Sequence, residues 1–134
     1  MDLGKLDGWA QSHHGVVTMR RAIALGWTES AWYRAIRRDQ LDLMHPGVAR
    51  LHGTPATPVQ RIYAGVLAAG TTAVASHRSA ASLWDIERPK GDPVDVIVHR
   101  CVTRLDLDGV VVHRPRDRID MATVVRSHTP STNV

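Results

Sequence analysis

The stretch from Gly15 to Val48, GVVTMRRAIALGWTESAWYRAIRRDQLDLMHPGV, limits most tightly what this chain can fold into. A short helix is expected over Thr18 to Leu25, stopped by Gly26, which adopts left-handed backbone without a Cβ clash. A second helix opens at Thr28, a good N-cap, with Glu29 on the positive end of the helix dipole, and runs to about Arg38. A turn at Asp39-Gln40 then leads to two alternating runs, Leu41 to His45 and Val48 to Leu51, joined by Pro46-Gly47. Two short helices with a hairpin behind them are the layout of a winged helix-turn-helix, whose second helix lies in a DNA major groove.

The faces of that second helix divide by spacing. Trp32 and Ile36 are four apart and share the side assigned to the core. The other side presents Ser30, Tyr33, Arg34 and Arg37, with Arg38 at its end. In the DNA reading Ser30, Tyr33, Arg34 and Arg37 meet base edges, while Arg20, Arg38 and Arg50 meet phosphates. His45 and His52 are further phosphate candidates beside the hairpin turn, although a lone histidine there is more often an exposed bystander. The bland alternative for the whole face is a solvated basic surface.

Upstream, Leu3 to His14 reads as a first helix with Leu3, Leu6, Trp9 and Ala10 on one face, weakened by Gly8 and ended at Gly15. Downstream, the small-residue and proline run Gly53 to Pro58 is the best boundary, giving domains 1–53 and 54–134. A helix over Val59 to Ala69, a short strand or an extended entry over Thr71 to Ala75 and a helix from His77 to Ile86 capped by Ser76 follow. Strands are then expected at Val94 to His99 and Val110 to His113, paired antiparallel across Asp106-Leu107-Asp108-Gly109. The expected class is α+β: a winged helix-turn-helix, then a small α/β domain with an antiparallel strand pair.

Charge and composition narrow the partners. The net charge is +4 and arginine supplies most of the cations, which suits bidentate phosphate contacts. No run of about 18 apolar residues is present, so no membrane span is expected. The N-terminus carries acids and no apolar h-region, which argues against a signal peptide, and Cys101 is the single cysteine, so the cytoplasm is the expected compartment.

Catalytic readings fare poorly. Asp95, Asp106 and Asp108 invite a metal-dependent nuclease, yet no acid-X-Lys follows Asp95 on its strand. Ser76, His77 and Asp85 contain the residue types of a nucleophilic triad, but adjacent Ser and His at a helix start are expected not to face each other, leaving Ser76 as a cap and His77 as a packing residue. Arg78 is open to pairing with Asp85 or Glu87 or to reaching DNA. The eight histidines lack metal-ligand spacing, and His13-His14 diverge if helical. Cys101 beside His99 is expected to be a plain surface thiol, and the four tryptophans to be core. No enzyme activity, metal or cofactor is expected.

Four motifs in order, HGVVT at His14 to Thr18, LMHPGV at Leu43 to Val48, SHRSAASLWDIERP at Ser76 to Pro89, and the strands Val94 to Val98 and Val110 to Pro115, resemble the AbiEi family of antitoxin-like transcriptional regulators. The same pattern precedes very-short-patch-repair-like endonuclease domains in actinobacterial proteins. The resemblance implies a bacterial winged helix that binds inverted repeats in its own promoter, with Thr28 to Arg38 as its recognition helix. It also implies a nucleotidyltransferase-like toxin opposed without a stable complex. Relatives place more arginines where this chain has Tyr33 and Ala35, and they continue beyond the equivalent of Val125 into a long further domain. The chain therefore reads as a shortened member. The rival readings are a protein-protein interaction module or a catalytically inactive remnant of an endonuclease-like protein.

Overall fold

Thr18, Thr28 and Thr57 each start a helix by accepting a hydrogen bond from the backbone N–H three residues on, at 3.1 Å in all three cases. These caps satisfy donors that a helix start leaves orphaned. The computed structural model describes residues 3–70, 72–84, 93–98, 106–114, 123–126 and 128–132, and in it the chain is a mixed α/β protein. The elements are α1 (Leu3–Gln11), β1 (Val16–Thr18), α2 (Met19–Ala24), α3 (Glu29–Arg37), β2 (Leu41–His45), β3 (Val48–Leu51) and α4 (Pro58–Ala69). They continue with β4 (Val74–Ala75), α5 (His77–Leu83), β5 (Val94–Ile97), β6 (Val110–His113), β7 (Thr123–Arg126) and β8 (Thr129–Thr132).

Two sheets organise these elements. The first is antiparallel with order β1-β3-β2, and a bulge between Leu43 and His45 bends its hairpin. Strand alternation gives this sheet two apolar faces. One carries Val17, Leu41 and Ala49 against Leu6, Ala22, Trp27 and Trp32. The other carries Val16 and Val48 against Tyr63 and Ala64 of α4. The second sheet has order β6-β5-β4-β8-β7, and Val94, Val96 and Val98 pack with Ile62 and Val66 of the same α4. Gly65 permits this approach: a Cβ there would sit 2.9 Å from Val94 Cγ1. Helix α4 is thus a shared wall between the two sheets.

The structure corrects several expectations. Strands β5 and β6 are parallel, Val94 opposite Val110 and Ile97 opposite His113, not antiparallel. Residues 98–109 supply the roughly dozen residues a parallel crossover needs, and the Asp106–Gly109 segment serves the entry to β6, with Val94 N–H donating to the Gly109 carbonyl at 2.8 Å. The antiparallel pairs are instead β4 with β5 and β7 with β8. Helix α1 runs through Gly8 and stops at Gln11, so His13 and His14 lie in a turn. Of Ala22, Ile23 and Leu25, the apolar residues that the sequence offers for burial around α2, Ala22 is buried and Ile23 is exposed. The β7–β8 hairpin was not foreseen. Asp85, Glu87, His99 and Cys101, along with the Arg78 side chain, lie outside the described residues.

Candidate nucleic-acid interface

Helix α3 is held by one face and open on the other. Ala31, Trp32 and Ala35 are buried and Ile36 packs beside them, with Trp32 at 1% exposure. Gly26, at φ 101°, and the Trp27 N–H donating to the Ala22 carbonyl at 3.0 Å set the angle at which α3 leaves α2. Trp27 is itself buried in the same cluster, so the connection is pinned at both ends. A rigid inner face fixes the direction of the outer one.

That outer face carries Ser30, Tyr33, Arg34 and Arg37, all exposed, and Arg38 is exposed at the C-cap. Among the described residues Arg34, Arg37 and Arg38 have no ion-pair partner. Three guanidinium groups within five residues repel one another, and a neighbouring polyanion relieves that repulsion while releasing its counterions. Five of the seven residues expected to meet DNA are therefore brought together on one exposed surface.

The other two are placed elsewhere. Arg20 is exposed but borders the cleft between α2 and α4, with Trp9, Arg21, Tyr63 and Leu67. Arg50 lies on the α4 side of the first sheet, because it shares that face with its cross-strand partner Val16. Its Nε is 3.6 Å from Asp42 Oδ2, and its Nη1 donates to Gln60 Oε1 at 3.5 Å. Gln60 is buried and also donates through Nε2 to the His14 and Pro55 carbonyls, at 2.8 and 3.2 Å. Arg50 is thus part of the seam between the sheet and α4.

The hairpin histidines part company. His52 is exposed and its Nδ1 lies 3.1 Å from Asp42 Oδ1. His45 is buried, at 8% exposure, and lines a cleft of about 360 Å³ with Arg50, Arg61, Val94 and Asp108. Burial pushes its imidazole below the ordinary histidine range, and the Asp108 carboxylate pulls weakly the other way. The hairpin tip is also tied back, since Met19 N–H donates to the Gly47 carbonyl at 2.9 Å.

Two side-chain clusters escape sequence reasoning. In the first, His13 stacks on Trp9 at 3.7 Å, and Arg21 also stacks on Trp9, at 3.8 Å. Adjacent His13 and His14 do not diverge: both approach the ring of His128, at 4.7 and 6.1 Å, because the turn and the left-handed backbone of His14 fold them together. In the second, Ser76 makes no side-chain cap, contrary to expectation; its Oγ lies 2.9 Å from Nδ1 of His77. His77 has φ 50°, and this left-handed backbone turns the imidazole back onto its neighbour. The His77 ring stacks on His113 at 4.1 Å, and His113 Nε2 is 3.2 Å from Asp95 Oδ1. No local spacing announces a cluster whose members span β5, β6 and the start of α5.

Among the described residues no helix is long and apolar enough to cross a membrane. Comparison with protein-family models finds no match for this sequence, and comparison with curated proteins likewise finds none.

Proposed function

We propose that this chain is a sequence-specific double-stranded DNA-binding regulator whose N-terminal part is a winged helix, with α3 as the recognition helix. The observation that carries the reading is the outer face of α3: Ser30, Tyr33, Arg34, Arg37 and Arg38 exposed together on a helix whose opposite face is sealed. Support also comes from the element order, in which two short helices precede a hairpin whose second strand pairs with β1. Ser30, Tyr33, Arg34 and Arg37 face base edges in this proposal, and Arg38 grips a phosphate. Arg50 is no longer assigned to DNA, because Asp42 and Gln60 hold it on the far side of the sheet.

The resemblance to AbiEi-type regulators gives the role its content: autorepression at promoter inverted repeats, opposing a nucleotidyltransferase-like toxin without a stable complex. The test is fluorescence anisotropy with a labelled duplex from upstream of the chain's own reading frame against a scrambled duplex, across a salt series. Specific binding at least about a thousandfold tighter, weakening steeply with salt, is the expected result. Equal weak binding to both duplexes, together with a stable complex with another protein, would favour the interaction-module reading.

A further inference from the structure

The cleft between α2 and α4 plays no part in the DNA reading, and its lining is chemically one-sided. Its volume is about 260 Å³, just below the roughly 300–1,000 Å³ of pockets that take drug-sized ligands, which suits a molecule of one ring. Trp9 of α1, Ala24 of α2 and Leu67 of α4 give it apolar walls, and Arg20 and Arg21 border it from α2. No carboxylate lines it among the described residues, and neither guanidinium has an ion-pair partner among them. An apolar slot bordered by two uncompensated cations is complementary to an anion with an apolar body.

The two arginines have different parts. Successive residues on a helix point about 100° apart, so Arg20 and Arg21 bracket the slot rather than converge on one point. Arg21 is the fixed one, with its guanidinium carbon 3.8 Å from the Trp9 ring centroid. His13 stacks on the same ring at 3.7 Å, so both ring faces are taken and Trp9 offers the slot its edge. The guanidinium donors lie in the plane of that group, not along the face laid on the indole, and stay open to a bidentate carboxylate. Arg20 is exposed and adds attraction at the mouth. Tyr63 borders the slot too, and its hydroxyl makes no hydrogen bond to a described residue. Burial pushes that phenol above its ordinary range, so it stays neutral and brings no negative charge to the slot.

We propose that the α2–α4 cleft binds a small aromatic carboxylate, with the carboxylate on Arg21 and the ring against Ala24, Leu67 and the edge of Trp9. A bare inorganic anion gains nothing from those apolar walls, and a neutral ring of the same shape leaves both cations uncompensated. The occupant lies against α2, whose far end is pinned to α3 through Gly26 and buried Trp27, so it sits one helix from the exposed face of α3. The site stands on its own lining and does not depend on what α3 reads.

The experiment is titration of the full chain with benzoate, read in ¹H–¹⁵N spectra of the arginine Nε–H and tryptophan indole N–H groups. Benzamide keeps the ring without the charge, and inorganic phosphate keeps the charge without the ring. Millimolar benzoate is expected to shift Arg21 Nε–H and the Trp9 indole saturably, with both controls binding at least about tenfold more weakly. Arg21→Gln should weaken benzoate binding by about tenfold or more. Ala24→Leu fills the slot from an exposed helix position and should abolish binding with the fold intact, whereas Arg38→Gln leaves it unchanged. The spectra of the unsubstituted chain decide the matter even if a variant misfolds. Absence of saturable shifts, shifts centred on Arg34 to Arg38, or benzamide binding as tightly as benzoate overturns the proposal. An equal response to inorganic phosphate also overturns it and assigns the two arginines to a phosphate-bearing partner.

Discussion

The two sheets of this molecule are specified in different ways. The first is built from near neighbours in sequence: β2 turns directly into β3, β1 lies upstream across the two short helices α2 and α3, and three helices close over it. The second is stitched from distant pieces, with Ala75 opposite Ser131 and β5 running parallel to β6. Caps, stop glycines and turn pairs encode the first almost completely. Within the second only the β7–β8 hairpin is a local pairing; its other partners are chosen by which apolar faces meet across the fold. Helix α4 joins the two, and Gln60, Tyr63 and Gly65 lie at that junction.

The largest test of this contrast is to damage each core in turn. Trp32→Ala, in the local core, is expected to cost about 3–5 kcal/mol. Ile62→Ala, in the α4 core, should cost about 2–5 kcal/mol. Because α4 serves both sheets, urea unfolding followed by near-UV circular dichroism should stay a single transition in both variants. Two separated transitions would mean the halves are independent.

Function offers a sharper separation. Arg34→Ala should weaken specific DNA binding by about 1–3 kcal/mol, with a smaller loss on scrambled duplex, whereas Arg38→Ala should weaken both alike. Arg50→Ala should leave the specific-to-scrambled ratio unchanged, because its guanidinium faces Asp42 and Gln60. Anisotropy on the two duplexes reads all three. Equal losses for Arg34→Ala on both would remove the base-reading role.

The next effect is local. Thr28→Ala removes the hydroxyl that caps α3 and is expected to cost about 1 kcal/mol, seen as a lowered urea midpoint with unchanged slope. It should loosen DNA binding as well, since the capped helix is the reader. Preserved binding with lost stability would separate the two roles.

The smallest effect concerns His45. Its folded-state affinity for a proton is depressed, so the unfolded chain binds the proton first as pH falls. The stability His45 contributes is therefore fully present above the unfolded histidine value, about 6.5, and is lost as pH drops below it through the folded value. Thermal melts at stepped pH from 7.5 downward should show this loss in the native chain and less of it in His45→Gln.

What the sequence made legible follows the same division. Thr18, Thr28, Gly26 and the Pro46-Gly47 turn announced α2, α3 and the hairpin, and the Trp32 and Ile36 spacing announced the buried side of α3. The face Arg50 takes is not legible in the sequence, because a strand residue's face depends on register, and a one-residue change moves a side chain to the other side. The β5–β6 direction was misread because a 12-residue connection, from 98 to 109, is compatible with a turn or a crossover. Ser76 and His77 were expected to ignore each other because a regular helix start would part them; the left-handed φ of His77 is a tertiary outcome.

The most direct test of the central claim is ¹H–¹⁵N chemical-shift mapping of the chain against its upstream duplex. The account predicts shifts concentrated between Thr28 and Arg38, with Arg50, Gln60 and Tyr63 nearly unmoved. Shifts centred on the α4 seam, with α3 silent, would contradict it.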